Sequence, residues 1–158
     1  MAGIQSTTGL DEVMAMLRKL DEDTTAIAKR ALYVGAGVMA DAYTNAVQSI
    51  KTAPRTSGED RTKARYPTPA EKEALRINIA KFREDGGDEV DTIIGVPNGY
   101  TNVDGVQKAT KLIARSINTG TSFMHKQPVF RKARSQSTRA AKEALVAEAE
   151  RLIDQITK

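Results

Sequence analysis

A single histidine, His125, and no cysteine stand among 158 residues, so the side chains that most often carry nucleophilic or metal chemistry are scarce. Without thiols there is no disulfide frame, no thiolate zinc site and no cysteine nucleophile. One imidazole cannot build a paired-histidine zinc motif. His125 sits in a polar turn between Met124 and Lys126, with no serine-nucleophile motif to partner it. Glu71 and Glu73 are a carboxylate pair of the kind that does acid and base work, yet nothing in the sequence places them in a pocket. DGGDEVD, residues 85–91, is rich in carboxylates but lacks the alternation and terminal Glu of a calcium loop, so a hairpin turn accounts for it. VGAG, residues 34–37, lacks the third glycine and the preceding strand of a dinucleotide fingerprint, which leaves helix packing as its role. The expectation is a non-enzymatic chain with no cofactor and no metal.

Two features remain. From Gly105 to Lys142 there are nine Lys and Arg residues and no acid. Lys108, Lys111, Arg115, Lys126, Lys132 and Arg134 form a candidate basic face, suited to phosphates or to an acidic protein surface. Its alternative is a set of solvated helix faces, since only Phe123 and Phe130 are there to stack on bases. The second feature is the segment 113–133, where a helix ends at Asn118-Thr119-Gly120, Thr121 and Ser122 supply turn hydroxyls, and Pro128 opens the next helix with Phe130 as an apolar anchor. Gly120, Thr121, Ser122, Met124, Pro128, Phe130 and Arg131 are therefore either a helix-turn-helix connection or a docking corner.

The elements that must position these residues follow from periodicity. Leu10, Val13, Met14, Leu17 and Leu20 mark a short amphipathic helix with Thr8 as its cap, and the recurrence from Ile27 to Ile50 outlines a second helix over 24–50, about 40 Å long. Residues 51–68 hold Pro54, Gly58 and Pro67, several basic residues and no apolar period, which reads as a long mobile surface loop. Thr68, Pro69 and Glu71 make a capping box for a brief helix. Alternation over 75–83 and 89–96 predicts a hairpin, with a helix over 69–83 as the rival. Asp104-Gly105 falls in the following loop, a third helix runs from Val106 past Ile117, and a fourth covers 128–157, weakened at 135–138. The expected class is α+β and helix-rich: one domain, 1–158, with long N- and C-terminal helices packed on a small antiparallel hairpin or sheet.

Composition limits what such a fold can bury. Leu, Ile, Val and Phe together number 32 of 158 residues, near the roughly 20% below which chains tend towards disorder. A net charge of only +4 and 22 alanines argue for a folded chain with a thin core, completed by a partner or by further copies of itself. No stretch approaches the ~20 apolar residues of a membrane span. The N-terminus MAGIQSTTGLDEV has neither a basic start nor an apolar signal run, so a cytosol-like compartment is expected.

On residues 9–13 (GLDEV), the Gly120-Thr121-Ser122 turn, Met124, and Pro128, Phe130, Arg131 and Ala133 before a final helix, the chain resembles the neck proteins of tailed bacteriophages, variously termed tail-completion, head-tail joining or minor tail components. Order and spacing agree from residue 9 to the C-terminus, and 113–133 is the most specific part. The chain departs from the pattern in three places: residues 59–74 look inserted between Thr56-Ser57-Gly58 and Leu75, Val129 directly follows the proline where Phe130 would be expected, and Thr119 stands where an aromatic residue often precedes the turn. The resemblance implies a structural virion protein of the tail or neck, assembled in the host cytoplasm as a homo-oligomeric, hexameric ring between the tail tube protein and the head-tail connector or stopper. A basic stretch in such a ring would face an acidic neighbour or the passing genomic DNA. The alternative function is a small basic nucleic-acid-binding protein using residues 105–142.

Overall fold

The computed structural model describes residues 7–56, 58, 62–81, 83–84, 90–103 and 105–156, with backbone alone for 7–23, 83–84 and 90–91. The chain is α+β and helix-rich. Its elements in order are α1 (Thr7–Gln48), α2 (Pro69–Glu73), β1 (Asn78–Ile79), β2 (Arg83–Glu84), β3 (Val90–Asp91), β4 (Ile94–Gly95), β5 (Tyr100–Val103), β6 (Val106–Ala109), α3 (Thr110–Thr119) and α4 (Val129–Ile156).

The two N-terminal helices expected from periodicity are one helix of 42 residues, about 63 Å long, and Thr8 lies inside it rather than at a separate cap. The acidic run at 21–23 does not break it, because Asp and Thr cost only about 0.7 kcal/mol or less each in a helix interior and no Gly or Pro lies between Gly9 and Gly35. α4 lies antiparallel along α1: Arg30 pairs with Glu148 at 3.2 Å, and Gly35 lies against Ala141 and Leu145. The fully buried positions of the seam carry small side chains. Ala133, Ser137 and Ala141 are buried at successive fourth positions of α4, Ala141 against Gly35 of α1, and Ala133 and Ser137 further along, beside Ala42 and Ala46. A Cβ on Gly35 would sit 2.9 Å from the Ala141 carbonyl oxygen, so glycine is what lets the backbones come this close. α4 is continuous through 135–138, where a break was expected. There the Ser137 and Thr138 hydroxyls donate to the Ala133 and Arg134 carbonyls, which satisfies them inside the helix.

The large apolar residues gather at the other end of the seam. Ile50, Leu75, Val103, Ile113, Ile117 and Met124 form the buried core, with Val47, Val96, Ala114, Val129 and Phe130 packed against it. The predicted hairpin is present and the rival helix is not: α2 stops at Glu73, and β1 pairs with β4, then β2 with β3. Three residues separate the two ladders on the first strand and two on the second, so the hairpin carries a one-residue bulge. Thr92 Oγ1 donates to the Ala80 carbonyl there at 2.7 Å. The acidic turn 85–89 lies outside the described residues. A second hairpin replaces what was expected to be loop and first turn of the third helix. β5 pairs with β6 from Tyr100↔Ala109 to Val103↔Val106, and Gly105 in the tight connection takes a φ of +78°. α3 therefore begins only at Thr110, whose buried hydroxyl donates towards the carbonyls of Pro97 and Gly99.

Candidate assembly corner and grooves

The corner predicted over 113–133 is built from the end of α3 outward. Gly120 terminates the helix with a φ of +76°, and its N–H donates to the Ser116 carbonyl. A Cβ there would meet Lys126 Cβ at 2.8 Å, so the tightness of the corner requires glycine twice over. Thr121 and Ser122 are exposed at the tip. Thr121 and Met124 exchange backbone hydrogen bonds of 3.0 and 3.3 Å, and the Phe123 N–H donates to Thr121 Oγ1. Met124, singled out as a docking candidate, is instead 8% exposed and part of the core. Pro128 precedes α4 and its carbonyl accepts from the Lys132 N–H. Phe130 is half-buried against the core, edge-on to Tyr43 with ring centroids 6.1 Å apart. Arg131 is exposed.

Residues that periodicity did not single out hold this corner in place. Gln127 accepts at Oε1 from the Lys51 N–H (2.9 Å) and donates from Nε2 to the Lys51 carbonyl (3.1 Å), imitating a strand partner, while its own N–H donates to the Ile117 carbonyl. Arg65 donates its N–H to the Phe123 carbonyl and accepts from the His125 N–H. The Tyr66 and His125 rings lie 4.7 Å apart on the same edge. The far end of the 51–68 segment is thus sewn to the corner. Among its described residues it holds no helix or strand, but its end is not the surface loop expected: Pro67 and Thr68 are buried, and the Ala53 N–H donates to the Pro67 carbonyl.

The guanidinium of Arg65 reaches both oxygens of Glu71 at 2.8 Å, and Lys108 Nζ reaches Oε1 at 2.8 Å. Glu71 is 1% exposed and also closes the capping box, accepting from the Thr68 N–H while its own N–H donates to Thr68 Oγ1. Burial opposes the charge on Glu71, but hydrogen bonds from Arg65, Lys108 and the Thr68 backbone outweigh it and hold the carboxyl at about 2, against an ordinary 4.5. Glu71 is thus the joint at which loop, α2 and second hairpin meet. Next to it Lys72 Nζ donates to the Gln48 and Ile50 carbonyls, which closes the C-terminal end of α1.

The basic residues do not form one face. Lys108 is committed to Glu71, and Lys126 lies beside Gly120 on the exposed turn. Lys132 lines a groove of about 460 Å³ between α1 and α4, bordered by Ala46 and Gln136. Arg134 is exposed on α4. Lys111 and Arg115, one turn apart on α3, border a larger groove of about 790 Å³ between α3 and the first hairpin. Its apolar walls include Ile93 and Leu112, which are 59% and 61% exposed. Among the described residues no group of three or more His, Asp or Glu stands close enough to hold a metal ion, and no helix is long and apolar enough to cross a membrane. No family model, no curated protein and no solved structure matches the chain.

Proposed function

We propose that the chain is a structural, ring-forming component of the joint between tail tube and head connector in a tailed-bacteriophage particle, with no catalytic role. The observation that carries the reading is the ordered set of neck-protein motifs running from Gly9 through the Gly120-Thr121-Ser122 turn to Phe130 and Arg131 before the last helix. Two physical features support it. The corner bearing the most specific motif is cross-tied by Arg65, Gln127 and the Thr121–Met124 turn, as a rigid contact point needs to be. Large apolar side chains stay exposed around it, Phe123 at 60% together with Ile93 and Leu112, and surface of this kind is suited to burial against neighbours.

The test is the solution mass of the purified full chain by light scattering at low and high salt, with absorbance read for co-purifying nucleic acid. A discrete oligomer that persists in salt and carries no nucleic acid is the expected result. The acid-free run 105–142 favours a second reading, a basic nucleic-acid-binding protein, which predicts a nucleic-acid-laden species that falls to a clean monomer as salt rises. A clean monomer in both conditions that also ignores added tail tube and connector proteins would overturn the neck assignment.

A further inference from the structure

The groove bordered by Lys111 and Arg115 has apolar walls that include Ile93, Val96, Leu112 and Phe130, and no acid is found among its described lining residues. A fitting occupant is apolar on one side and acidic beside it. The chain holds such a segment. By helical spacing Leu10, Val13, Met14, Leu17 and Leu20 share one face of α1, accompanied by five carboxylates over 11–23 against two cations, Arg18 and Lys19.

The backbone leaves that stretch of α1 beyond the reach of α4. Arg30 lies level with Glu148 and Gly35 with Ala141 and Leu145, so Ile156, where α4 ends, comes level with about residue 22 of α1. The same helix also keeps the segment away from its own groove. Tyr43 borders the groove, Asp23 lies 20 residues earlier, and α1 is unbroken between them, a separation of about 30 Å. The geometry points to a second copy: the N-terminal turns of α1, residues 10–23, seat in the Lys111–Arg115 groove of the next chain. Two different patches meet in such a contact, so it repeats head to tail and closes into a ring where the rotation allows. The inference rests on the self-assembling reading above and names the contact that reading leaves open.

The absence of cysteine makes the contact directly testable. Val13→Cys and Leu112→Cys proteins, each full-length and differently tagged, are mixed and treated with a short bis-maleimide. The expected product is a mixed dimer linking position 13 to position 112, and the double variant gives a ladder ending at the closed assembly. Because Leu112, Lys111 and Arg115 are exposed, their substitution leaves the helical circular dichroism unchanged. Lys111→Glu with Arg115→Glu is expected to abolish the oligomer, and adding Asp21→Lys, Glu22→Lys and Asp23→Lys to restore it. An oligomer that survives the charge reversal and gives no 13-to-112 link overturns this contact while leaving the ring reading intact. A 112-to-112 link overturns it in favour of a two-fold contact. A wild-type chain that stays monomeric at every concentration overturns it as well, and the tail tube and connector experiment then decides the ring reading separately.

Discussion

Glu71 concentrates the electrostatics of the chain in one nearly inaccessible carboxylate held by two cations and a backbone amide. Removing one member of a buried pair costs about 3–5 kcal/mol, because the partner left behind is still desolvated. Glu71→Gln is accordingly expected to lower the unfolding free energy in urea by that order, and Lys108→Ala by less, since the Lys108 side chain is 27% exposed and can hydrate. The pH dependence has a definite sign. The folded Glu71 carboxyl lies at about 2, below its ordinary 4.5, so its stabilisation is complete above pH 4.5 and is lost as pH falls through 2. On the order of 3 kcal/mol is at stake in that window. Glu148 titrates in the same direction, held at about 2 foremost by its hydrogen bond from Arg151. Urea unfolding from pH 5 to pH 2 should show a steep loss in the wild type and a shallower one in Glu71→Gln. An equal slope in both would remove Glu71 from its role. The sequence exposed one side of this site, the Thr68–Glu71 capping box, because that motif is local. It concealed Arg65 and Lys108, six residues upstream and 37 downstream, because nothing in their spacing records that the fold brings them to one carboxylate.

Among the elements, the two glycines of α1 give opposite predictions from the same local text. Gly35 faces the Ala141 carbonyl oxygen where a Cβ would sit at 2.9 Å, whereas a Cβ on Gly37 would meet nothing within 4 Å. Gly37→Ala should therefore stabilise by about 0.5–1 kcal/mol through helix propensity and reduced chain entropy, raising the melting temperature by about 2–4 °C. Gly35→Ala should lower it, at a cost of about 1–3 kcal/mol, because α4 must move. Gly120→Ala belongs with Gly35: a positive φ and the Lys126 backbone beside it put the cost at about 1–3 kcal/mol. Calorimetry of the three variants checks all signs together. The same elements show where sequence patterns were informative. Long helices of period near 3.6 and the alternation at 75–83 and 89–96 were legible, because each pattern repeats several times. The join of the two N-terminal helices was missed because an acidic run resembles a helix start. The β5–β6 hairpin was missed because Val106, Ala109, Ile113 and Ile117 keep helical spacing across the junction, although Asp104-Gly105 is itself a strong two-residue turn signal. The corner over 113–133 was legible as a turn, but not the burial of Met124, which depends on Ile50 and Leu75 arriving from elsewhere.

For the whole molecule, the thin core expected from composition has a clear location. Among the described residues ten hydrophobic side chains are buried; four are alanines, and the six larger ones lie together at one end of the α1–α4 pair. Ile93, Leu112 and Phe123 meanwhile remain more than half exposed. A chain so divided gains stability when its exposed apolar surface is covered, and a contact made only by the folded form raises the melting temperature with concentration. Differential scanning calorimetry over a hundredfold range of wild-type concentration should therefore show an upward shift in the melting temperature. The shift should persist at high salt, because burial of apolar side chains in the groove is not screened as exposed charges are. Leu112→Asp serves as the control: its side chain is 61% exposed, so the substitution spares the core, and its melting temperature should match the dilute wild type and stay flat with concentration. A wild-type melting temperature as flat as the variant's would mean that the groove stays open in solution and that this end of the molecule is stable without a neighbour.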